Sequence, residues 1–182
     1  MKHYLLIAAL LLAAGPALAQ DIRPTVTPES GSIEALDAKN GFRKFKFGTP
    51  ISQLPDWQKR AGGAYYTDQM EVRRIGDVDL NTLWFLPYDG KFAAVEFTTF
   101  GKNNCQRLLD ILVAEYGAPQ ANDGITMTWI GNVVSMTYEL RTSYGGYGTK
   151  TYGATVYIGS NEAVAQAKAS RTQSAKKAAG DL

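Results

Sequence analysis

Histidine is all but missing from this sequence: the only one is His3, inside a segment expected to be removed. Its absence excludes Ser-His-Asp and Cys-His catalysis, histidine-ligated zinc and the usual general base near neutral pH. Cysteine is nearly as scarce, with Cys105 alone, so no internal disulfide can form and stability must come from packing. No apolar run reaches the ~20 residues needed to span a bilayer, and no membrane span is expected. Charge of one sign is lacking too. The formal net charge is +2, and loss of Lys2 would leave 18 basic residues against 17 acidic. No basic field exists for nucleic acid or an anionic membrane, and neither is expected as a partner. No metal site and no cofactor is expected.

What the chain does have begins with an export signature. Lys2 precedes an apolar run from Leu5 to Ala14, and Ala17-Leu18-Ala19 supplies small residues before Gln20. Residues 1–19 therefore read as a cleavable signal peptide, which places the protein in the periplasm or outside the cell. No cysteine stands at the cleavage point, so a lipid anchor is not expected.

All 19 aromatic residues after Tyr4 lie between Phe42 and Tyr157, which marks residues 41–160 as the folded domain. Residues 20–40, with Pro24, Pro28 and no aromatic, read as a linker whose end makes a turn or two of helix with Ser32 as N-cap. Residues 161–182 read as a polar tail rich in alanine and lysine, a solvated helix that buries little.

Within the domain, Phe45 and Phe47 alternate with Lys44 and Lys46 as in a half-buried strand, and Thr49-Pro50 opens a short helix ended by Pro55. Strands are expected from Glu71 to Ile75, Val78 to Leu86 and Lys91 to Phe100, joined as a meander by turns at Gly76-Asp77 and over Pro87 to Gly90. Cys105, Leu108, Leu109, Leu112 and Tyr116 fall on one helical face, so a long helix runs from about Asn104 to Tyr116, with Gly117 as its stop. Strands follow from Ile125 to Ile130, Val133 to Arg141 and Tyr152 to Ile158. The class is α+β, an antiparallel sheet with one long and one short helix packed on one face. The order of strands does not follow from the pattern.

Few residues offer chemistry. Cys105 sits near a helix start, where thiolate is favoured, but it occupies the apolar stripe and has no histidine to activate it, so it reads as a small core residue. The carboxylate pairs Asp77 with Asp79 and Asp56 with Asp68 have the composition of acid and base partners, yet their neighbours are turn residues. The run from Gly145 to Lys150 lacks phosphate-loop spacing. No catalytic residue is assigned. The aromatics remain: Tyr144, Tyr147 and Tyr152 in or beside a glycine-flanked loop, and Trp57, Tyr65 and Tyr66 in a second loop region. The glycines at 145, 146 and 148 are expected to bend residues 142–152 away from the sheet and carry the tyrosines outward.

Gly41-Phe42-Arg43, Phe45 to Thr49, Asp89 to Phe92, Val95-Glu96-Phe97 and Glu115 to Pro119 together resemble a pattern of small uncharacterised exported bacterial proteins of α+β class. The arrangement is also similar to the halves of beta-lactamase inhibitor proteins, which present aromatics on a sheet to a partner. This chain lacks their cysteine pairs and their repeat, so no site residue carries over. The expected function is a non-catalytic exported binding module that recognises a protein or an envelope polymer through an aromatic surface, with Tyr144, Tyr147 and Tyr152 as its ligand-binding residues. The alternatives are a carboxylate-dependent hydrolase of envelope glycans and a structural envelope component.

Overall fold

A computed structural model describes residues 22–25, 31–54, 58–60, 63–66, 73–144 and 148–180. Residues 1–19, Asp56, Trp57, Asp68 and Tyr147 lie outside the described residues. The chain begins with α1 (Ile33–Lys39), the hairpin of β1 (Gly41–Phe42) and β2 (Phe45–Lys46), and one 3-10 turn at Ile51–Gln53, the described part of the short helix expected there. Then come β3 (Gln58–Lys59), β4 (Tyr65–Tyr66), β5 (Arg74–Ile75), β6 (Val78–Asp79), β7 (Thr82–Tyr88) and β8 (Lys91–Phe100). The long helix α2 (Lys102–Tyr116) is followed by β9 (Ala121–Asn122), β10 (Thr126–Ile130), β11 (Val134–Tyr144), β12 (Lys150–Ser160) and α3 (Asn161–Gly180). The class is α+β, as expected from sequence.

Eight strands make one sheet in the order β3-β4-β7-β8-β12-β11-β10-β9, and every pair is antiparallel. The last strand, β12, is thus inserted between β8 and β11. Because side chains alternate across a strand, the register builds continuous apolar rows. Leu83, Phe97, Val156, Tyr138 and Met127 stand side by side across five strands, and Phe85, Val95, Ile158, Met136 and Trp129 form the next row. All ten are buried, as are Cys105, Leu108, Leu109, Leu112, Val113 and Tyr116 of α2. Burying each large side chain between these layers contributes ~1.5–3 kcal/mol.

Two buried donors fix α2 along the sheet. Tyr138 Oη donates to the Cys105 carbonyl at 3.1 Å, and Trp129 Nε1 donates to the Gly117 carbonyl at 2.8 Å, just past the helix end. Gly117 stops the helix at φ 78°, and it lies so close to Gly31 that a Cβ there would meet the Gly31 carbonyl oxygen at 2.7 Å.

The expected meander is divided. β5 and β6 form their own ribbon around Gly76-Asp77, and the chain changes partner at Leu80 and Asn81, whose N–H groups donate to Arg73 and Thr98. The β7–β8 turn is only Asp89-Gly90, with φ 48° and 72°, the left-handed pair that a two-residue hairpin favours. Pro87 stays in β7 because a register shift between Leu86 and Pro87 accommodates it.

The stretch read as a linker lies, where described, against α2. Ile22 and Leu36 are fully buried, and both the N–H and the hydroxyl of Thr25 donate to Asp110 at 2.7 Å. Aliphatic side chains fill the gap that the absence of aromatics had argued would stay empty. Ser32 stands at the N-cap of α1 but makes no side-chain cap bond. The tail does form a helix: α3 follows β12 without a loop and crosses the face opposite α2, where Tyr88 Oη meets Ser170 Oγ at 3.0 Å. Of its described side chains only Asn161, Ala163 and Ala167 are even half-buried.

Asp37 joins α1 to the β10–β11 turn, its carboxylate accepting the N–H groups of Asn132, Val133 and Val134 at 2.7–2.9 Å. Burial pushes this carboxyl up, but the three N–H donors outweigh it and hold it below its ordinary value. Asp37→Ala is expected to cost about 1–2 kcal/mol in urea unfolding at neutral pH. A lowered folded pKa stabilises above the unfolded value of about 4 and is lost as the pH falls through the folded one. The difference between wild type and variant should therefore shrink under acid, and an equal difference at pH 3 and pH 7 would refute the role.

Candidate functional site

The strongest surface feature is the β11–β12 hairpin. Its ladder has eleven rungs, from Val134↔Ser160 to Tyr144↔Lys150. Support on one side ends where β8 pairs Phe100 with Gly153, and on the other where β10 pairs Thr126 with Glu139. The last two rungs, Ser143↔Thr151 and Tyr144↔Lys150, project past both neighbours, while the Tyr152 carbonyl still accepts the N–H of Gly101 just after β8. The glycines therefore do not break the strands at Thr142. Thr142, Tyr144, Thr151 and Tyr152 all favour extended chain, and Ser143 Oγ meets Thr151 Oγ1 at 2.6 Å across the ladder. Among the described residues beyond Tyr144, Gly148 leaves the extended conformation at φ 72°.

The register places Tyr144, Lys150 and Tyr152 on the face that carries α2. Tyr144 is 71% exposed, whereas Tyr152 is half-buried and packs at the margin of the core. Tyr147, the third residue singled out from sequence, lies outside the described residues. Lys150 Nζ stands 6.0 Å from the Tyr144 ring centroid and 5.3 Å from that of Tyr152, and Lys102 Nζ at the start of α2 stands 5.6 Å from Tyr152. Each such contact at an exposed site contributes ~0.5–1 kcal/mol, so the two rings and two ammonium groups form one array. In the second aromatic region, Tyr65 is half-buried against the core and cation–π contact goes instead to Trp84, under Arg60 at 4.6 Å.

The structure adds residues that the sequence reading did not single out. Phe100 is 60% exposed, its ring lying over Gly153, where a Cβ would come within 3.0 Å of it. Ile125, also 60% exposed, stands where β10 begins. An open groove follows the base of the hairpin, lined among others by Arg23, Lys102, Arg141 and Lys150 and by only two acids, Asp123 and Glu139. Both acids are committed. The Asp123 carboxylate accepts the N–H groups of Thr126 and Ile125, which hold its pKa down, and Glu139 is held down by its bond to Arg141 at 2.9 Å. With four cations against two acids, this lining is net positive. No sequence motif marks Lys102 or Phe100; they reach the site only because β8 ends and α2 begins beside Tyr152, where the Gly101 N–H donates to the Tyr152 carbonyl.

The other sequence candidates have structural roles. Asp77 pairs with Arg107 at 2.6 Å and Asp79 with Arg74 at 2.9 Å, all exposed, around the β5–β6 ribbon. Asp56 and Asp68 lie outside the described residues, as do 145–147 of the glycine run, while Lys150 is part of β12. Among the described residues, no three His, Cys, Asp or Glu side chains gather closely enough to hold a metal ion.

Cys105 is fully buried in the stripe of α2, and burial pushes its thiol up to about 11. Folded protein at pH 7.5 should resist a thiol reagent, while denatured protein should label completely. Rapid native labelling would show that the stripe opens.

In comparison with known proteins, no family model matches the chain, and no curated protein or solved structure matches it either, so the reading of this surface rests on its own geometry.

Proposed function

We propose that this chain is an exported, non-catalytic binding module that recognises a protein or an envelope polymer through the projecting end of the β11–β12 hairpin. The observation that carries the reading is the hairpin itself: an extension past its neighbours that presents an exposed Tyr144. The core does not require Tyr144, and tyrosine offers large contact area at low entropic cost. Ile125 and the lysine-tyrosine array widen the surface on the α2 face, and Phe100 lies beside Gly153 on the other. Tyr144 and Tyr152 divide the work, the first as a contact residue and the second as the packed base on which the array stands; Tyr147 belongs to the same proposal by its place in the sequence between β11 and β12.

Export is part of the proposal. Cleavage after Ala19 would leave Gln20 at the N-terminus, two positions before Ile22, whose side chain is fully buried. The proposed leader thus ends just short of Ile22, the first buried residue among those described. Intact-mass measurement of protein from the cell envelope should give a chain beginning at Gln20; finding Met1 would overturn the export reading.

Binding is tested by pull-down of the tagged protein from envelope extract, followed by titration of the captured molecule against Tyr144→Ala. Affinity should fall about 30-fold, equivalent to ~2 kcal/mol, with the melting temperature nearly unchanged. Unchanged affinity with a large loss of thermal stability would place Tyr144 in the core and refute the site.

A further inference from the structure

The hydrogen-bond phase of β11 shows which of its backbone groups face outward at the hairpin end. Leu140 N–H donates to Ile125, towards β10, and the Val133 carbonyl accepts from Asn161, towards β12. Even-numbered residues of β11 therefore point to the β10 side and odd-numbered ones to β12, since the direction alternates along a strand. Arg141 and Ser143 bond to β12, whereas the N–H and C=O of Thr142 and Tyr144 point to the side where β10 would continue. Among the described residues no strand lies there. β10 stops short because the Asp123 carboxylate takes the N–H groups of Ile125 and Thr126 while Gly124, at φ 90°, turns the chain away. The result is an open edge flanked by exposed Tyr144 at one end and exposed Ile125 at the other.

Open edges are templates for pairing with another extended chain. Thr142 and Tyr144 supply the outward backbone groups, and the side chains nearby select the partner. The groove beside the edge carries Arg23, Lys102, Arg141 and Lys150 against Asp123 and Glu139, and both acids are already engaged by backbone N–H groups or Arg141. Arg141 is taken up by Glu139 on one face of the hairpin, while Lys150 lies on the other by register with Lys102 beside Tyr152, so acidic side chains on that face of an added strand meet two ammonium groups. We propose that the outer edge of β11 at residues 142–144 takes up an extended acidic peptide segment of a partner protein as an added antiparallel strand, in line with β10. This rests on the hairpin being the binding surface and names its partner chemistry.

The test uses the full chain and a fluorescein-labelled peptide of four Glu-Val repeats, read by anisotropy. The acidic peptide should bind, a Lys-Val peptide of equal length should not, and Lys102→Glu with Lys150→Glu should reverse that preference. Thr142→Pro removes one outward N–H and leaves the bonds from Arg141 and Ser143 to β12 in place, so it should weaken binding at least 10-fold without lowering the melting temperature. Should that variant fail to fold, a Glu-Val peptide N-methylated at alternate residues gives the same answer from the other side, with an equal loss on wild-type protein. Binding weaker than about 1 mM, indifference to Thr142→Pro and N-methylation, or equal binding of the basic peptide would overturn the proposal. Two further outcomes overturn it while leaving the hairpin surface standing. One is polygalacturonate binding lost in Tyr144→Ala and kept in Thr142→Pro, which makes the partner a polymer. The other is a concentration-dependent dimer abolished by Thr142→Pro, which makes the occupant a second copy.

Discussion

Two hydrogen bonds in the dry core position everything else. Tyr138 and Trp129 have no exposed surface, so each must find a partner or lose ~1–3 kcal/mol to an unsatisfied group. Each finds it on α2, at the Cys105 carbonyl near one end and the Gly117 carbonyl just past the other. Apolar packing alone lets a helix slide along a sheet at little cost, whereas two directional bonds some three turns apart do not. Among the described residues no buried side-chain nitrogen or oxygen is left without a partner. With α2 fixed, Gly101 and Lys102 come to rest beside Tyr152, and the array at the hairpin follows.

The same registration explains why the N-terminal stretch belongs to the domain. Gln106 and Asp110 lie one turn apart on α2 and hold Arg23 and Thr25, while Gly31 meets the helix end through a backbone contact that admits no side chain. Asp37 then carries the chain from α1 to the turn before β11. Its described residues thus touch α2 at Gln106, Asp110 and the helix end and, through Asp37, the sheet.

Local pattern made much of this legible. The stripe from Cys105 to Tyr116 specified α2 almost to the residue, and Lys91 to Phe100 proved to be β8 with both ends correct, because periodicity and turn residues act over a few positions. Strand order is not local: nothing in Tyr152 to Ile158 says that it enters between β8 and β11. Proline and missing aromatics misdirected the reading of residues 20–40, since Ile22 and Leu36 need only a gap of their own size. The tyrosine-glycine run drew attention to the β11–β12 hairpin. The contrast between exposed Tyr144 and half-buried Tyr152, which share a face, depends on how far each lies past its neighbours, and the contributions of Lys102, Phe100 and Ile125 depend on where other strands end. None of these is written in residues 142–152.

One strand connects the two ends of the molecule. β12 begins beside the hairpin tip and runs without a loop into α3, and between these points it is bonded to β8 over seven rungs and to β11 over eleven. Tension applied at the tip and resisted at the far end would run along this strand, parallel to its neighbours. Its hydrogen bonds would then bear load together, in shear, instead of opening singly as in a zipper. A partner held at the hairpin would thus be tethered through the most mechanically resistant element of the fold, and the forced unfolding rate of β12, not the equilibrium stability of the domain, would set how long the attachment lasts under load.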